Sequence, residues 1–437
     1  MDDILAARSQ MAMSLAFHII FAAIGIAMPL LMVIAEWRFL RTKDEVYLTL
    51  AKRWAKGTAI LFAVGAVSGT VLSFELGLLF PKFMGYAGAI IGMPFSLEGF
   101  AFFTEAIFLG IYLYGREKIS PGKHLFAGAM VAASGAASGI FVVIANAWMN
   151  TPTGFRLVDG QLADIDPVAA MMNPNAFTQT LHMILAAYAA TGLAVAGIHA
   201  FMLRRAPDNR FHRSALAIAL TVGGITAVLQ PLSGDLLAKA VAQNQPIKLA
   251  AFEGQFETET SAGVRLGGIP DEEKRETKYA IEIPYGLSIL AYGDPHATVK
   301  GLNDFPKDEH PPVAIVHFAF QIMVGCGMLM LAVALWSAWR FWRNRKNGAG
   351  KWIDSKWFLR ALVLATPLGF IAVETGWVVT EVGRQPWIIF GVMRTADAVT
   401  PMPGLVVPFI TFTILYIFLA IATAWLLFRQ VAASPKI

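Results

Sequence analysis

Nine mostly apolar runs follow one another along the chain, separated by polar stretches. They fall at approximately 15–37, 58–80, 94–114, 125–148, 178–202, 214–234, 313–337, 358–380 and 404–428. Each is about 20 residues or more, enough for a helix to cross the hydrocarbon of a bilayer. Only helices and closed barrels satisfy backbone groups in lipid, and these runs are far too long for barrel strands. The pattern predicts an all-α, polytopic bundle of about nine transmembrane helices forming a single membrane domain over 1–437. One connection, 235–312, is far longer than the others and rich in acids such as Glu253, Glu257, Glu259, Asp271, Glu272 and Glu273. A loop of that length usually has a function. A second, at 149–177, opens with Trp148-Met149-Asn150-Thr151-Pro152-Thr153-Gly154, whose Pro and Gly favour a fixed turn.

Composition agrees with the pattern. The chain is 56% hydrophobic and 15% charged, against about 25% charged in soluble domains. Most Lys and Arg fall in 38–57, 115–124, 203–213, 338–357 and the C-terminal tail. Those segments are therefore expected inside, with the N-terminus outside, the C-terminus inside and the 235–312 loop outside. The net charge of +5 reflects this topology and gives no reason to expect a nucleic-acid partner. The first residues, with Asp2, Asp3 and only Arg8, lack a signal-peptide n-region. The single cysteine, Cys326, excludes a four-cysteine Fe–S cluster, a Cys-x-x-Cys-His heme attachment and an intrachain disulfide. It is expected to be a small buried residue.

Ionisable groups inside a membrane are costly, so each needs a reason. Four histidines lie within the apolar runs: His18, His182, His199 and His317. His199 is expected to reach the interface beside Arg204 and Arg205, and His317 to sit at an interface after Pro311-Pro312. His18 and His182 are either satisfied core histidines or metal ligands. The third run carries Glu98 and Glu105, seven residues and about 10 Å apart on one helix face. That stripe suits a proton path or a charge near a cofactor. Glu75 is expected at an interface. The eighth run holds Glu374, Trp377 and Glu381, then Gly383-Arg384-Gln385-Pro386-Trp387. Glu381 and Arg384 are either an exposed i,i+3 pair or a carboxylate ligand beside a guanidinium that pairs with an acidic cofactor group. His18, Glu98, His182, Met323 and Glu381 all fall toward the outer ends of their runs, which points to one shared layer. No two histidines are adjacent, so a heme–copper centre is not expected, and no Gly-x-x-x-x-Gly-Lys loop is present.

At these residues the chain resembles subunit I of the cytochrome bd family of quinol oxidases. The likeness runs nearly end to end. It is carried by Phe17-His18, Leu97-Glu98-Gly99, Phe102-Phe103-Thr104-Glu105, Ala145-Asn146-Ala147-Trp148-Met149-Asn150 and Thr180-Leu181-His182. It continues through Gly234-Asp235, the run from Gln245 to Gly254, Phe320-Gln321-Ile322-Met323-Val324-Gly325 and the run from Gly376 to Trp387. The resemblance implies that His182 and Met323 are axial ligands of a low-spin heme b. It implies that His18 and Glu381 serve a high-spin heme b and a heme d, in an order left open. Glu98, Glu105 and Ser138 resemble residues beside the oxygen-reducing heme and on its proton path. Trp377 and Arg384 resemble groups near the high-spin hemes, and Lys248 and Glu253 resemble a quinol-binding pair. Many members carry Arg two residues before the ligand methionine; Gln321 stands there in this chain. The brief 235–312 loop is similar to that of a short-loop branch that includes cyanide-insensitive types.

The activity implied is a quinol:oxygen oxidoreductase of the bacterial inner membrane. It would oxidise quinol outside, take protons from inside and make water without copper. A second large membrane subunit and a small single-helix subunit are the implied partners. Two other readings differ in class. A diheme electron carrier exchanging with quinone needs paired histidines on a smaller bundle. A heme-free transporter predicts inverted repeats and helices broken at midplane.

Overall fold

The computed structural model describes residues 2–345 and 351–435. It is 74% helical, and among the described residues nine segments are long and apolar enough to cross a membrane. In chain order the first helices are α1 (Asp3–Thr42), α2 (Glu45–Leu79), α3 (Pro81–Tyr114), α4 (Pro121–Asn150), the short α5 (Pro167–Met171), α6 (Ala176–Leu203) and α7 (Arg210–Asn244). Then come α8 (Pro246–Glu253), α9 (Gly286–Tyr292), α10 (Val313–Asn344), α11 (Lys356–Ala365), α12 (Leu368–Val382), α13 (Thr395–Ala398) and α14 (Val406–Ala432). Each apolar run lies within a longer helix, or within the α11–α12 pair for the eighth, apart from the extreme ends of a few. The overhangs are polar and capped. Asp2 accepts from Leu5 N–H at 2.6 Å at the start of α1, and Pro81 and Pro121 open α3 and α4, where no amide is needed.

Small residues bring the central helices together. A Cβ at Gly192 of α6 would stand 2.6 Å from the Cα of Gly223 on α7, so these helices cross backbone to backbone. The eighth span is not one helix: Thr366-Pro367 separates α11 from α12, because proline lacks the amide that would continue the ladder. A Cβ at Gly197 would meet Thr366 Oγ1 at 2.0 Å, which seats this break directly on α6. One apolar cluster built on Leu31, Leu50, Leu193, Leu216 and Phe358 fills the half of the bundle that holds the α1–α2 connection. A second, around Leu249, Phe252, Leu287 and Val316, joins the long loop to α10.

The 149–177 connection is a fixed turn as expected. Gly154 has φ +80° and packs on α5, and a hairpin of β1 (Arg156–Val158) and β2 (Gln161–Ala163) follows it. The long connection starts later than its acid-rich composition suggested, since α7 remains helical through Asn244. Beyond α8 it folds as small antiparallel pairs: β3 (Glu259–Thr260) with β8 (Thr298–Val299), β4 (Val264–Leu266) with β7 (Ile281–Ile283), and β5 (Ile269–Asp271) with β6 (Glu276–Lys278). A last pair, β9 (Trp387–Ile389) and β10 (Met393–Arg394), follows α12. The middle of the 338–357 segment, expected inside, lies outside the described residues, as do the last two residues of the tail.

Three residues expected at an interface are buried against other parts of the protein. Glu75 is 3% exposed and accepts from Gln10 Nε2 at 2.8 Å. His199 does not reach outward; its Nδ1 lies 2.8 Å from that of His212 on α7. His317 is 0% exposed, its ring nitrogens facing Phe252 O at 2.9 Å and Gly267 O at 3.0 Å. In each case a neighbouring segment supplies the polar partner that water would otherwise provide. Cys326 is buried, as expected.

Candidate functional site

The two candidate ligand histidines are held in the same way. His18 Nδ1 on α1 lies 2.9 Å from Ser68 Oγ on α2, and that hydroxyl is placed to donate to Val64 O at 3.0 Å. A serine whose proton is used by a carbonyl accepts from the ring, so Nδ1 carries the hydrogen and Nε2 keeps its lone pair. His182 on α6 repeats the device. Its Nδ1 lies 3.0 Å from Ser233 Oγ on α7, which donates to Gln230 O at 2.9 Å. Gln230 Nε2 donates to His182 O at 3.1 Å and lies 3.2 Å from its Nε2. A polar neighbour that fixes the tautomer of a ring is the usual support of a metal-binding imidazole.

Glycines on the facing helix allow close approach to each candidate ligand. A Cβ at Gly69 would stand 3.0 Å from His18 Cε1, and one at Gly234 3.4 Å from His182 Cε1. Met323 lies on α10, and a Cβ at Gly376 of α12 would stand 3.0 Å from its sulfur. Trp377, the next residue, is half-buried on α12. Arg384 is 2% exposed, yet its Nε and Nη1 have no hydrogen-bond partner among the described residues. Two imidazole nitrogens, a thioether and a buried guanidinium with unused donors fit the iron and the propionates of hemes. Glu374, half-buried on α12, also keeps an unpartnered Oε1.

At the end of α12, Glu381 is partnered on both oxygens. Oε2 accepts from Arg384 Nη2 at 2.5 Å, and Oε1 accepts from Asn146 of α4. Asn146 Oδ1 in turn accepts from Gln179 of α6 at 2.7 Å and from Asn150 at 3.2 Å. Asn150 Oδ1 accepts from Lys248 of α8, whose ammonium also donates to Thr380 O at 3.2 Å. A continuous string therefore runs from Lys248 through Asn150 and Asn146 to Glu381 and Arg384. Burial, with Arg384 nearby, holds the Lys248 ammonium well below the usual lysine range, against the opposite pull of Glu381.

Lys248 and Glu253 do not converge on one point. Five residues apart on α8, they are offset around the helix. Lys248 joins the string above, while Glu253 is tied electrostatically to Arg265. Glu253 is 3% exposed, and its Oε2 has no hydrogen-bond partner among the described residues. Burial pushes its carboxyl up to about 8, against the pull of Arg265.

The acid stripe of α3 faces α4. Ser138 Oγ donates to Glu98 at 3.1 Å, and a Cβ at Gly135 would stand 3.1 Å from Glu105 Oε1. Two turns further along α3 comes Tyr112, buried, its ring against Gly128 and its hydroxyl toward Glu36 and Arg116. There His124 bridges Tyr112 O at 2.8 Å and Glu36 Oε1 at 2.7 Å, and Arg116 lies 3.4 Å from that carboxylate. Sequence reasoning did not find Ser68, Ser233, Gln230, Gln179, Tyr112, His124 or Glu36 as site residues. Asn146 and Asn150 stood in a quoted motif without a role. Serine, glutamine and asparagine are too common for their positions to signal anything before the helices are brought together.

Ionisable and thioether side chains on separate apolar helices, tied by buried hydrogen bonds, define a polytopic membrane protein built around an internal polar core. The cytochrome bd terminal oxidase subunit I family matches residues 6–435, and this chain belongs to that family. Over all of its length it is 38% identical to a putative cytochrome bd menaquinol oxidase subunit I of Bacillus subtilis, covering 98% of that protein. It is 31% identical to a cytochrome bd ubiquinol oxidase subunit 1 of the same organism, covering 95% of it. The bd oxidase structure from Geobacillus thermodenitrificans superposes with a TM-score of 0.92 at 42% identity, over 99% of each chain.

Proposed function

We propose that this chain is the catalytic membrane subunit of a terminal quinol oxidase, working beside a second subunit in a bacterial inner membrane. Family membership carries the overall activity, quinol:oxygen oxidoreduction, together with heme cofactors and a quinol substrate. The finer assignment rests on the residues. His182 and Met323 would hold a low-spin heme b; His18 and Glu381 would serve a high-spin heme b and a heme d. Hemes bound there supply one-electron transfer and oxygen binding. A small single-helix subunit and surrounding lipid complete the proposed set of partners.

The chain's own groups then handle protons and position. Glu253 accepts a quinol proton and releases it on the side of the long loop, which the basic-residue bias makes the outer side. Lys248 fixes the α8 end of the hydrogen-bonded string that reaches Glu381 and Arg384. That string carries the proposal, because it joins the loop to the residues proposed for heme binding. Arg384 would offer its unused N–H groups to a propionate, and Trp377, earlier on α12, would stand near the high-spin hemes. Glu98, Glu105 and Ser138 carry protons outward from the inner side, with Tyr112, His124 and Glu36 at the inner end of the same stripe. Taking protons from inside and releasing them outside separates charge without a pump. A diheme carrier would leave the Glu98–Glu105 stripe and Glu381 without work.

The test is a purified complex with its second subunit, assayed for oxygen uptake with quinol and by reduced-minus-oxidised absorbance. Quinol-dependent oxygen consumption with heme bands is expected. Heme bands without oxygen uptake would return the diheme reading.

A further inference from the structure

The long loop does not stand clear of the bundle. Arg265 O accepts from Gln321 Nε2 at 3.0 Å, Gly267 N–H donates to Gln321 Oε1 at 3.0 Å, and Gly267 O faces His317 Nε2. These contacts fix the depth of β4 along α10. Trp336, Trp339, Arg340, Trp342 and Arg343 crowd the opposite end of α10, and such residues mark a membrane interface. Counting back about 20 residues of hydrocarbon from there reaches His317. Gln321 then lies about 6 Å inside the apolar layer. Leu266 adjoins that level, and its register partner on β7 is Ile281.

The outward face at this depth is apolar. Ile281 is 71% exposed, and Leu266, Ile269 and Ile283 are exposed with it. The strand of Ile269, β5, packs against α10, where Phe318 and Ile322 are themselves exposed on a membrane span. Glu282 has the opposite side-chain direction on β7 and lies alongside Gly263, on the other face from Ile281 and Ile283. A chain in water seldom shows so much contiguous apolar surface.

We propose that the β4–β7 hairpin region is a lipid-contacting element, seated in the leaflet on the loop side of the membrane. Its partner is the acyl and headgroup boundary of that leaflet. The inference rests on the quinol reading only for its purpose, which is to hold the Glu253 end of α8 at the level where a membrane-soluble quinol presents its head.

The experiment reads depth without turnover, so the quinol reading and this one fail separately. Ile281→Cys on a Cys326→Ala background is spin-labelled in the complete oxidase in liposomes. A label at Gln161→Cys, on the polar β1–β2 hairpin, serves as the aqueous reference. The Ile281 label should collide freely with oxygen and about tenfold less with a water-soluble nickel chelate than the Gln161 label does. Equal nickel access at both sites would overturn the proposal. So would exclusion of both quenchers at Ile281, the signature of cover by another protein subunit. Unchanged heme absorbance of the labelled protein checks its fold.

Discussion

Lys248 donates to Asn150, so the first turns of an extramembrane helix are hydrogen-bonded to the end of a membrane-spanning one. The ammonium is fully buried and also reaches Thr380 O. Lys248→Met should leave both acceptors unpaired and lower quinol oxidation by about tenfold or more, since a buried group that loses its partner costs about 1–3 kcal/mol. Oxygen uptake with quinol, compared with that from an artificial electron donor, measures it. Equal loss with both donors would remove Lys248 from the quinol side of the reaction.

Glu253 sets a pH dependence whose sign follows from its burial. With its carboxyl raised to about 8, it is protonated at neutral pH and must ionise to accept a quinol proton. Quinol oxidation should therefore rise as pH climbs toward about 8 and level above it, and Glu253→Gln should abolish that step. Stability runs the other way. Between the ordinary carboxylate range and about 8 the folded chain holds a proton the unfolded chain has released, so stability falls as pH rises through that window. Thermal unfolding of wild type and Glu253→Gln across this range reads the difference.

Glu105 is buried against α4, where Gly135 faces its carboxyl. Glu105→Gln should cut oxygen uptake by about 10²-fold, the scale of a lost proton-transfer group. Tyr112→Phe, which removes a single buried hydroxyl, should slow proton uptake in vesicles and leave the heme bands unchanged. An unaltered rate in Tyr112→Phe would detach the inner cluster from the stripe.

His182→Ala removes the ring that Ser233 orients. The low-spin heme band should disappear from the reduced-minus-oxidised spectrum, while Ser233→Ala should retain it with a shifted midpoint potential. A full low-spin band in His182→Ala would refute the ligand assignment.

A Cβ at Gly192 would stand 2.6 Å from the Cα of Gly223, and backbone cannot yield as a side chain does. Gly192→Val should therefore destabilise the bundle by about 1–3 kcal/mol or more through forced separation of α6 and α7. Thermal inactivation in detergent checks it, with Gly122→Ala as a comparison, since a Cβ at Gly122 meets nothing within 4 Å.

The chain by itself determined the nine spans, because about 20 apolar residues in lipid have no stable form but a helix. It also marked His18, His182, Met323, Glu98, Glu105 and Glu381 as residues too costly or too particular to lie in those spans without reason. Tertiary structure alone decided which polar group meets which. Glu75 found Gln10, His199 found His212, and His317 found the backbone of the folded loop, so each is buried against protein. It also broke the eighth span at Thr366-Pro367, seated the break on Gly197, and turned Lys248 inward to Asn150 rather than beside Glu253. Apolar periodicity is a property of one helix and can be read along a line. A hydrogen bond between α4, α6, α8 and α12 depends on where four helices cross, and no single segment carries that information.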